Sequence, residues 1–169
     1  VAKFTFNPFQ ENTYILYDDS KECIIIDPGC YHEEEKTELI AFIEKEGLQP
    51  VRLINTHCHI DHVLGNKFVV ETYKVKLFAN ELEIPVLQSV VQYAPMMGMK
   101  YDPSPDINVF LSEKDTLSFG DSKLNILFCP GHSPGSICFY SEADKFLIGG
   151  DVLFQMSIGR TDLPGGDYN

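Results

Sequence analysis

The run from His57 to His62 constrains this chain more than any other stretch. It carries three of the five histidines and one aspartate in the pattern H-x-H-x-D-H, called the histidine motif below. Imidazole and carboxylate groups together are the usual ligands of zinc and of the harder first-row metals. On one helix four such groups would point to different faces, whereas residues i and i+2 of an extended segment share a face. The pattern therefore predicts that His57 and His59 hold one ion as a pair. If the chain then turns, Asp61 and His62 can hold a second.

The histidine motif follows an apolar run, Val51 to Ile54, that predicts a β-strand. In α/β architectures the loops at the carboxyl ends of strands commonly carry the functional residues. A polar surface loop that happens to be rich in histidine is the alternative interpretation, and the preceding strand disfavours it. The motif therefore indicates a functional site at the end of a strand.

Two later loops place a metal-type ligand in the same kind of position. His132 lies among glycines and prolines after the predicted strand Lys123–Phe128, and Asp151 follows Phe146–Ile148 and two glycines. Each residue alone would be ordinary turn chemistry. Because all three loops follow predicted strands, we expect His132 and Asp151 to converge with the histidine motif on one site.

The hydrophobic pattern predicts alternation of strands and helices in the first part of the chain and mostly strands in the last third. Strands are predicted at Lys3–Phe6, Asn12–Tyr17, Cys23–Ile26, Val51–Asn55, Lys76–Ala79, Asp115–Phe119, Lys123–Phe128, Ile137–Tyr140 and Phe146–Ile148. Helices are predicted at Glu33–Glu46, after Gly65 and at Glu81–Val91. The segment Tyr93 to Asp106 predicts a long surface loop, whose aromatic and methionine side chains either line a cleft or pack under the loop. This order favours sheets with helices outside them.

Composition restricts the partners of this chain. Its 169 residues and 44% hydrophobic content fit one domain, and its net charge of −12 disfavours nucleic acid. No run approaches the roughly 18–20 apolar residues of a membrane span. The five cysteines show no C-x-x-C spacing, which favours reduced thiols and a cytoplasmic location. The start at Val1, without a signal-peptide pattern, predicts a trimmed chain.

The chain resembles the metallo-β-lactamase superfamily and, within it, the glyoxalase II-like hydrolases. The matching segments are Thr56–His62, Gly131–Ser136, Gly150–Phe154 and Ser157–Asp167, and the resemblance extends over nearly the whole chain. It implies an α/β (α+β) fold, a four-layer αβ/βα sandwich with two mixed sheets and the metals between the sheet edges. We expect one such domain over residues 1–169.

The resemblance also implies ligands for two metal ions, in what we call the first and second positions. The first would use His57, His59 and His132, the second Asp61 and His62, and Asp151 would bridge the two. The family's remaining second-position ligand is a later histidine, yet no histidine follows His132. We therefore expect either a chain cut before its last strands and helix, which we favour, or a shortened variant. In either case the second sheet should leave apolar surface open. His32 begins a predicted helix and is not assigned.

The activity implied by the resemblance is hydrolysis by a pair of zinc ions, with iron or manganese as alternatives. Two divalent ions lower the pKa of a bridging water toward neutrality, and the metal-bound hydroxide would attack an acyl carbonyl. The ligands Asp61 and Asp151 are accordingly assigned to catalysis. We expect the substrate to be a small-molecule thioester such as S-lactoylglutathione.

Other functions remain open at this point. A persulfide dioxygenase shares T-H-C-H-x-D-H and G-R-T-D, and uses one iron that His57, His132 and Asp151 would hold. A catalytically silent metal-binding domain is the alternative from another class, and the missing late histidine favours it. The absence of an export signal disfavours a β-lactamase, and the charge disfavours a nuclease.

Two further residues near the motifs have competing interpretations. Arg160 is a candidate for pairing with a substrate carboxylate, although an ion pair with Asp162 or Asp167 explains it equally well. Cys58 lies between two predicted ligands, but in an extended segment its side chain points away from them. We therefore interpret Cys58 as a packing residue and not as a nucleophile.

Overall fold

The computed structural model describes residues 1–168 and shows a mixed α/β fold with two principal sheets. The strands are β1 (Ala2–Phe6), β2 (Glu11–Tyr17), β3 (Glu22–Ile26), β4 (Gln49–Ile54), β5 (Leu77–Ala79), β6 (Val109–Phe110), β7 (Thr116–Phe119), β8 (Ser122–Phe128), β9 (Ile137–Ser141), β10 (Phe146–Ile148), β11 (Leu153–Phe154) and β12 (Ser157–Ile158). The helices are α1 (Glu33–Glu46), α2 (Ile60–Val63), α3 (Asn66–Tyr73) and α4 (Ile84–Tyr93), with 3₁₀ turns at Glu81–Glu83 and Pro95–Met97.

The first sheet has the order β1-β2-β3-β4-β5-β6, antiparallel from β1 to β3 and parallel from β3 to β6. Parallel neighbours require crossover connections, and α1, then α2 with α3, then α4 supply them. The carboxyl ends of β3 and β4 therefore lie side by side at one edge of the sheet. Asp27 leaves the first of these strands and the histidine motif leaves the second.

The second sheet is antiparallel, with the order β10-β9-β8-β7, and packs against the first to form a sandwich. The alternation along β3 shows how the layers divide. Ile25 packs in a core cluster with the helices, whereas Ile24 and Ile26 pack with residues of the second sheet. All three are fully buried, as expected for a continuous apolar strand between two layers.

Most elements coincide with the sequence prediction to within two residues, and the differences have local causes. The helix predicted from Glu81 begins at Ile84, because Pro85 fits only the first turn and Glu81–Glu83 forms a 3₁₀ turn instead. The short α2 was not predicted, since its four residues show no hydrophobic period. His32 is the N-cap of α1, and Gly47 ends that helix with a φ of 65°.

The outer face of the second sheet is open to solvent. Within residues 1–168 no α-helix follows Tyr93, so helices cover only the first sheet. Leu127 on β8 and Leu147 on β10 are accordingly 44% and 40% exposed. In the predicted loop, Tyr101 packs against the core, which supports packing under the loop over a cleft lining. Within residues 1–168, no helix has the length and hydropathy of a transmembrane span.

Candidate metal centre

The histidine motif is fixed to the end of β3 by hydrogen bonds to one buried carboxylate. Asp27 accepts the Thr56 amide at Oδ1 (2.7 Å) and the Thr56 hydroxyl at Oδ2 (2.5 Å). Asp27 itself has a φ of 50°, in the left-handed region that aspartate adopts more readily than most residues. The motif therefore starts from a rigid point, and bends at Thr56 and His57 precede α2.

The three residues of the first position lie together. One ring nitrogen of each of His57, His59 and His132 lies within 4.8 Å of the others. Nδ1 of His59 is 2.9 Å from Nε2 of His132, although 73 residues separate them in sequence. The chain thus brings the histidine motif and the β8–β9 loop to one point, as the sequence predicted. Their role as metal ligands remains a prediction.

Hydrogen bonds on the far side of two rings set which nitrogen is free. Nδ1 of His132 donates to the carbonyl of Arg160 (2.7 Å). In the neutral ring this leaves the lone pair on Nε2, which faces the cluster. Nδ1 of His57 lies 3.1 Å from the Thr56 hydroxyl, whose own proton goes to Asp27. That oxygen can only accept from His57, so in the neutral ring the free lone pair of His57 is on Nε2. Such outer partners are typical of metal-bound histidines.

The second position is assembled around His62. Its Nε2 lies 3.6 Å from Asp61 Oδ2 and 3.4 Å from Asp151 Oδ1, and a ligand atom of His57 lies within 4.8 Å of those of His62 and Asp151. The other oxygen of Asp151 is 3.5 Å from Nε2 of His132. Asp151 therefore presents one oxygen to each group, which is the arrangement that a bridging ligand requires.

Two carboxylates behind His62 were not predicted from the sequence. Nδ1 of His62 lies 3.1 Å from Asp27 Oδ2 and 3.8 Å from Glu11 Oε1, and both acids are buried. Glu11 also accepts the Thr13 hydroxyl at 2.9 Å. An acidic residue at an inward position of the alternating strand β2 was the available signal for Glu11. Asp27 carries no comparable signal, because Asp-Pro-Gly is an ordinary turn sequence.

Two properties of the cluster suit a metal ion, namely buried nitrogens that lack a hydrogen-bond partner and histidine rings that are neutral. Among the described residues, Nε2 of His57 and Nε2 of His62 are buried without a hydrogen-bond partner, a costly state that a bound cation would relieve. Burial, helped by the neighbouring histidines, lowers the pKa of His57 well below its ordinary value and that of His59 to about 4. Both rings are therefore neutral at pH 7 and ready to coordinate.

The carboxylates shift the other titrating groups of the cluster. Burial opposes charge on His62, yet Asp27 and Asp151 together raise its pKa well above the usual value. Burial opposes charge on Asp151, but the nearby His62 outweighs it and lowers the pKa of this carboxyl, whereas burial raises the pKa of Asp61. The acidic side of the cluster thus holds a proton on His62, and a metal ion would displace it.

The remaining sequence candidates lie outside the cluster. The Arg160 guanidinium is on the surface and pairs with both oxygens of Asp162 at 2.7 and 2.8 Å, so the structure shows the ion pair. A contact of Arg160 with substrate stays a prediction. The Cys58 side chain is buried in the core, and burial raises the pKa of its thiol well above the ordinary value. Such a thiol is a poor nucleophile.

A cavity of about 250 Å³ opens beside the second position. Asp61, His62 and Asp151 form one wall. The rest of the lining is mixed, with the apolar side chains Phe9, Leu147, Leu153 and Phe154 and the polar residues Gln10, Glu11, Asn12 and Tyr14. In small-molecule sites, convergent polar groups of this kind fix the orientation of the ligand.

Comparison with known proteins identifies the class to which this fold and cluster belong. The model of the metallo-β-lactamase superfamily matches residues 6–169, so the chain is a member of that superfamily. Hydroxyacylglutathione hydrolase GloC of Haemophilus influenzae is 36% identical over 167 residues, which cover 95% of this chain and 74% of that protein.

Two solved structures are similar over nearly the whole chain. BLEG-1 B3 metallo-β-lactamase superposes with a TM-score of 0.87 at 33% identity, covering 99% of this chain and 79% of that one. TTHA1623 in a di-iron-bound form gives a TM-score of 0.86 at 34% identity, covering 99% and 80%. This similarity extends the sequence resemblance to the three-dimensional fold.

Proposed function

We propose that this chain hydrolyses small-molecule thioesters in the manner of glyoxalase II, with two metal ions bound at the cluster. The observation that carries the proposal is the position of Asp151, with Oδ1 3.4 Å from Nε2 of His62 and Oδ2 3.5 Å from Nε2 of His132. Two groups of nitrogen and oxygen ligands that share one carboxylate suit a pair of divalent ions. Zinc is our proposed metal, and iron or manganese would fit the same mixed ligand set.

The protein's own groups would hold and orient the reacting parts. When bound, a pair of divalent ions supplies hydroxide at neutral pH and stabilises the charge that develops on a carbonyl oxygen. His57 and His132 present Nε2 because Thr56 and the Arg160 carbonyl occupy their Nδ1 atoms. Asp151 fixes the spacing of the two groups. The reaction needs no side-chain nucleophile, in agreement with the buried thiol of Cys58.

The thioester assignment rests on similarity and on the cavity. GloC, named a hydroxyacylglutathione hydrolase, is 36% identical over most of this chain. The wall of the cavity beside Asp61 is largely polar but includes the apolar rings of Phe9 and Phe154, which suit contact with an acyl group. A small thioester, such as S-lactoylglutathione, is therefore the proposed substrate.

The test is a paired assay on purified protein loaded separately with zinc, iron or manganese. Release of thiol from S-lactoylglutathione and from simple S-acyl thiols measures hydrolysis, and oxygen uptake on glutathione persulfide measures oxidation. We expect hydrolysis without oxygen uptake. Asp151→Asn should lower the turnover by more than about 100-fold, since loss of an outer-shell partner alone costs roughly 10–100-fold.

Glu142→Gln is the matched control, because Glu142 is an exposed acid in the turn between β9 and β10. It should leave hydrolysis unchanged. Iron-dependent oxygen uptake without hydrolysis would assign the chain to the persulfide dioxygenases. Tight metal binding with neither reaction would favour the catalytically silent domain.

A further inference from the structure

A buried carboxylate that belongs to none of the metal-ligand groups lies between two ligand loops. Glu83 ends the 3₁₀ turn Glu81–Glu83, and it has no solvent-exposed surface. Charged side chains are almost never fully buried unless their charge is compensated. The contacts of this side chain therefore need an explanation.

The Glu83 carboxylate accepts three hydrogen bonds from the two loops that carry histidines of the first position. Oε2 accepts the amide of Cys58 at 2.7 Å. Oε1 accepts the Ser133 hydroxyl at 2.6 Å and the Gly135 amide at 2.7 Å. Cys58 lies between His57 and His59 in the sequence, and Ser133 directly follows His132. One side chain thus holds segments that are 25 and 50 residues away from it.

The second loop is shaped to let the carboxylate approach. A Cβ atom on Gly135 would lie 2.8 Å from Cγ and 2.9 Å from Oε1 of Glu83, closer than real Cβ contacts. Burial raises the pKa of Glu83, and its hydrogen bonds to Ser133, Cys58 and Gly135 act in the opposite direction. Such an arrangement costs desolvation that an apolar side chain would avoid. Its benefit is the fixed distance that it imposes between the loops.

We propose that Glu83 is a positioning residue, which sets the spacing of the first metal position by holding the backbone of both histidine loops. The inference rests on the proposed metal centre and adds to it a residue outside the ligand set. Histidine nitrogens bind zinc at about 2.0–2.1 Å, so a small displacement of one loop weakens coordination. Through the Cys58 amide, Glu83 restrains His57 and His59. Through Ser133 and Gly135 it restrains His132.

Glu83→Gln is the informative substitution because it keeps the size of the side chain. A carboxamide has one acceptor oxygen and one donor nitrogen. If the oxygen faces Gly135, the nitrogen opposes the amide of Cys58, and if it is reversed, the nitrogen opposes the amide of Gly135. In either orientation one buried amide loses its acceptor. Glu81→Gln is the matched control, since Glu81 lies on the same turn with an exposed side chain.

The measurement is zinc affinity of the metal-free full chain by competition with a chromophoric chelator, together with visible absorption of the cobalt-loaded protein. We expect Glu83→Gln to weaken the tighter zinc equivalent by about 10–100-fold, the usual effect of an outer-shell change. Its cobalt spectrum should also change. Glu81→Gln should match the wild type in both respects. Circular dichroism establishes that each variant is folded before titration.

Ser133→Ala keeps the inference testable if Glu83→Gln fails to fold. It removes one donor to Oε1 and leaves the carboxylate and both amides in place, so we expect a smaller loss of zinc affinity. Wild-type affinity and cobalt spectra in every folded variant of Glu83 and Ser133 would overturn the positioning role. If the wild-type chain itself binds no metal, the proposed metal centre fails instead, and the two outcomes are thereby distinguished.

Discussion

At the scale of single residues, the histidines of the cluster differ because of what surrounds each ring. His57 and His59 are buried next to other imidazoles, so burial and the neighbouring histidines lower the pKa of each. His62 faces Asp27 and Asp151, whose charges raise its pKa despite burial. Two of the rings are thus ready to coordinate at neutral pH, whereas the third must release a proton to a metal ion.

The shift at His59 predicts how the stability of the metal-free protein depends on pH. The ring has a pKa of about 4 when folded and 6.5 ordinarily, so between these values the unfolded chain binds a proton that the folded chain does not. The contribution of His59 therefore falls as the pH is lowered through this window, with a slope of up to about 1.4 kcal/mol per pH unit.

Comparison of the wild type with His59→Asn isolates this contribution from the other titrating groups. Urea unfolding in the presence of a chelator, at several pH values from 4 to 7, should show the wild type losing stability relative to the variant as the pH falls. Proton NMR should show the His59 ring unchanged between pH 5 and 7. A His59 resonance that titrates near its ordinary value would contradict the prediction.

At the scale of elements, the site depends on how closely the loops at the strand ends approach one another. Gly150 leads from β10 to Asp151 with a φ of 49°, and a Cβ there would lie 2.4 Å from Oγ1 of Thr56. The loop that carries Asp151 therefore rests directly on the start of the histidine motif. Gly47 has a similar φ of 65° at the end of α1, but a Cβ there would meet nothing within 4 Å.

These two glycines allow the cost of the left-handed backbone to be separated from the cost of the contact. Gly47→Ala should lower the free energy of unfolding by about 1 kcal/mol, which corresponds to roughly 2–4 °C in Tm for a chain of this size. It should leave zinc affinity unchanged. Gly150→Ala should be more destabilising and should also weaken zinc binding, because it pushes Asp151 away from Thr56.

Thermal unfolding of both metal-free variants and chelator competition for zinc measure these effects. Equal losses of stability in the two variants, with wild-type zinc affinity in Gly150→Ala, would show that the two loops move independently.

The sequence predicted most of the elements and the convergence of the candidate ligands, because both depend on local patterns. A histidine or aspartate directly after an apolar run marks the end of a strand, and strand ends meet at one edge. The sequence did not predict the buried carboxylates that hold the loops of the cluster by hydrogen bonds. The Glu83 carboxylate lies in a stretch that reads as an ordinary helix start, and its contacts are 25 and 50 residues away. Asp27 accepts a hydrogen bond from Thr56, which lies 29 residues further along the chain. This contact depends on the pairing of β3 with β4, which no local pattern shows.

At the scale of the whole molecule, the two proposed metal positions differ in their number of protein ligands. The first would use three histidine nitrogens and one oxygen of Asp151, whereas the second would use His62, Asp61 and the other oxygen of Asp151. The chain spans about three quarters of the length of GloC. The metal affinities of the two positions in this chain can therefore be compared by direct measurement.

Titration of the metal-free chain with zinc should show the first position filling before the second. Loss of a single outer-shell partner lowers metal affinity by roughly 10–100-fold, so one protein ligand fewer should separate the two affinities by at least about tenfold. His59→Asn should weaken the tighter equivalent, because it removes a nitrogen of the first position. His62→Asn should weaken mainly the looser equivalent, which makes the two variants controls for each other. The opposite outcome would be two equally tight zinc equivalents in the wild type, with both of them weakened in each variant. That result would show that the positions fill as one cooperative unit held by Asp151.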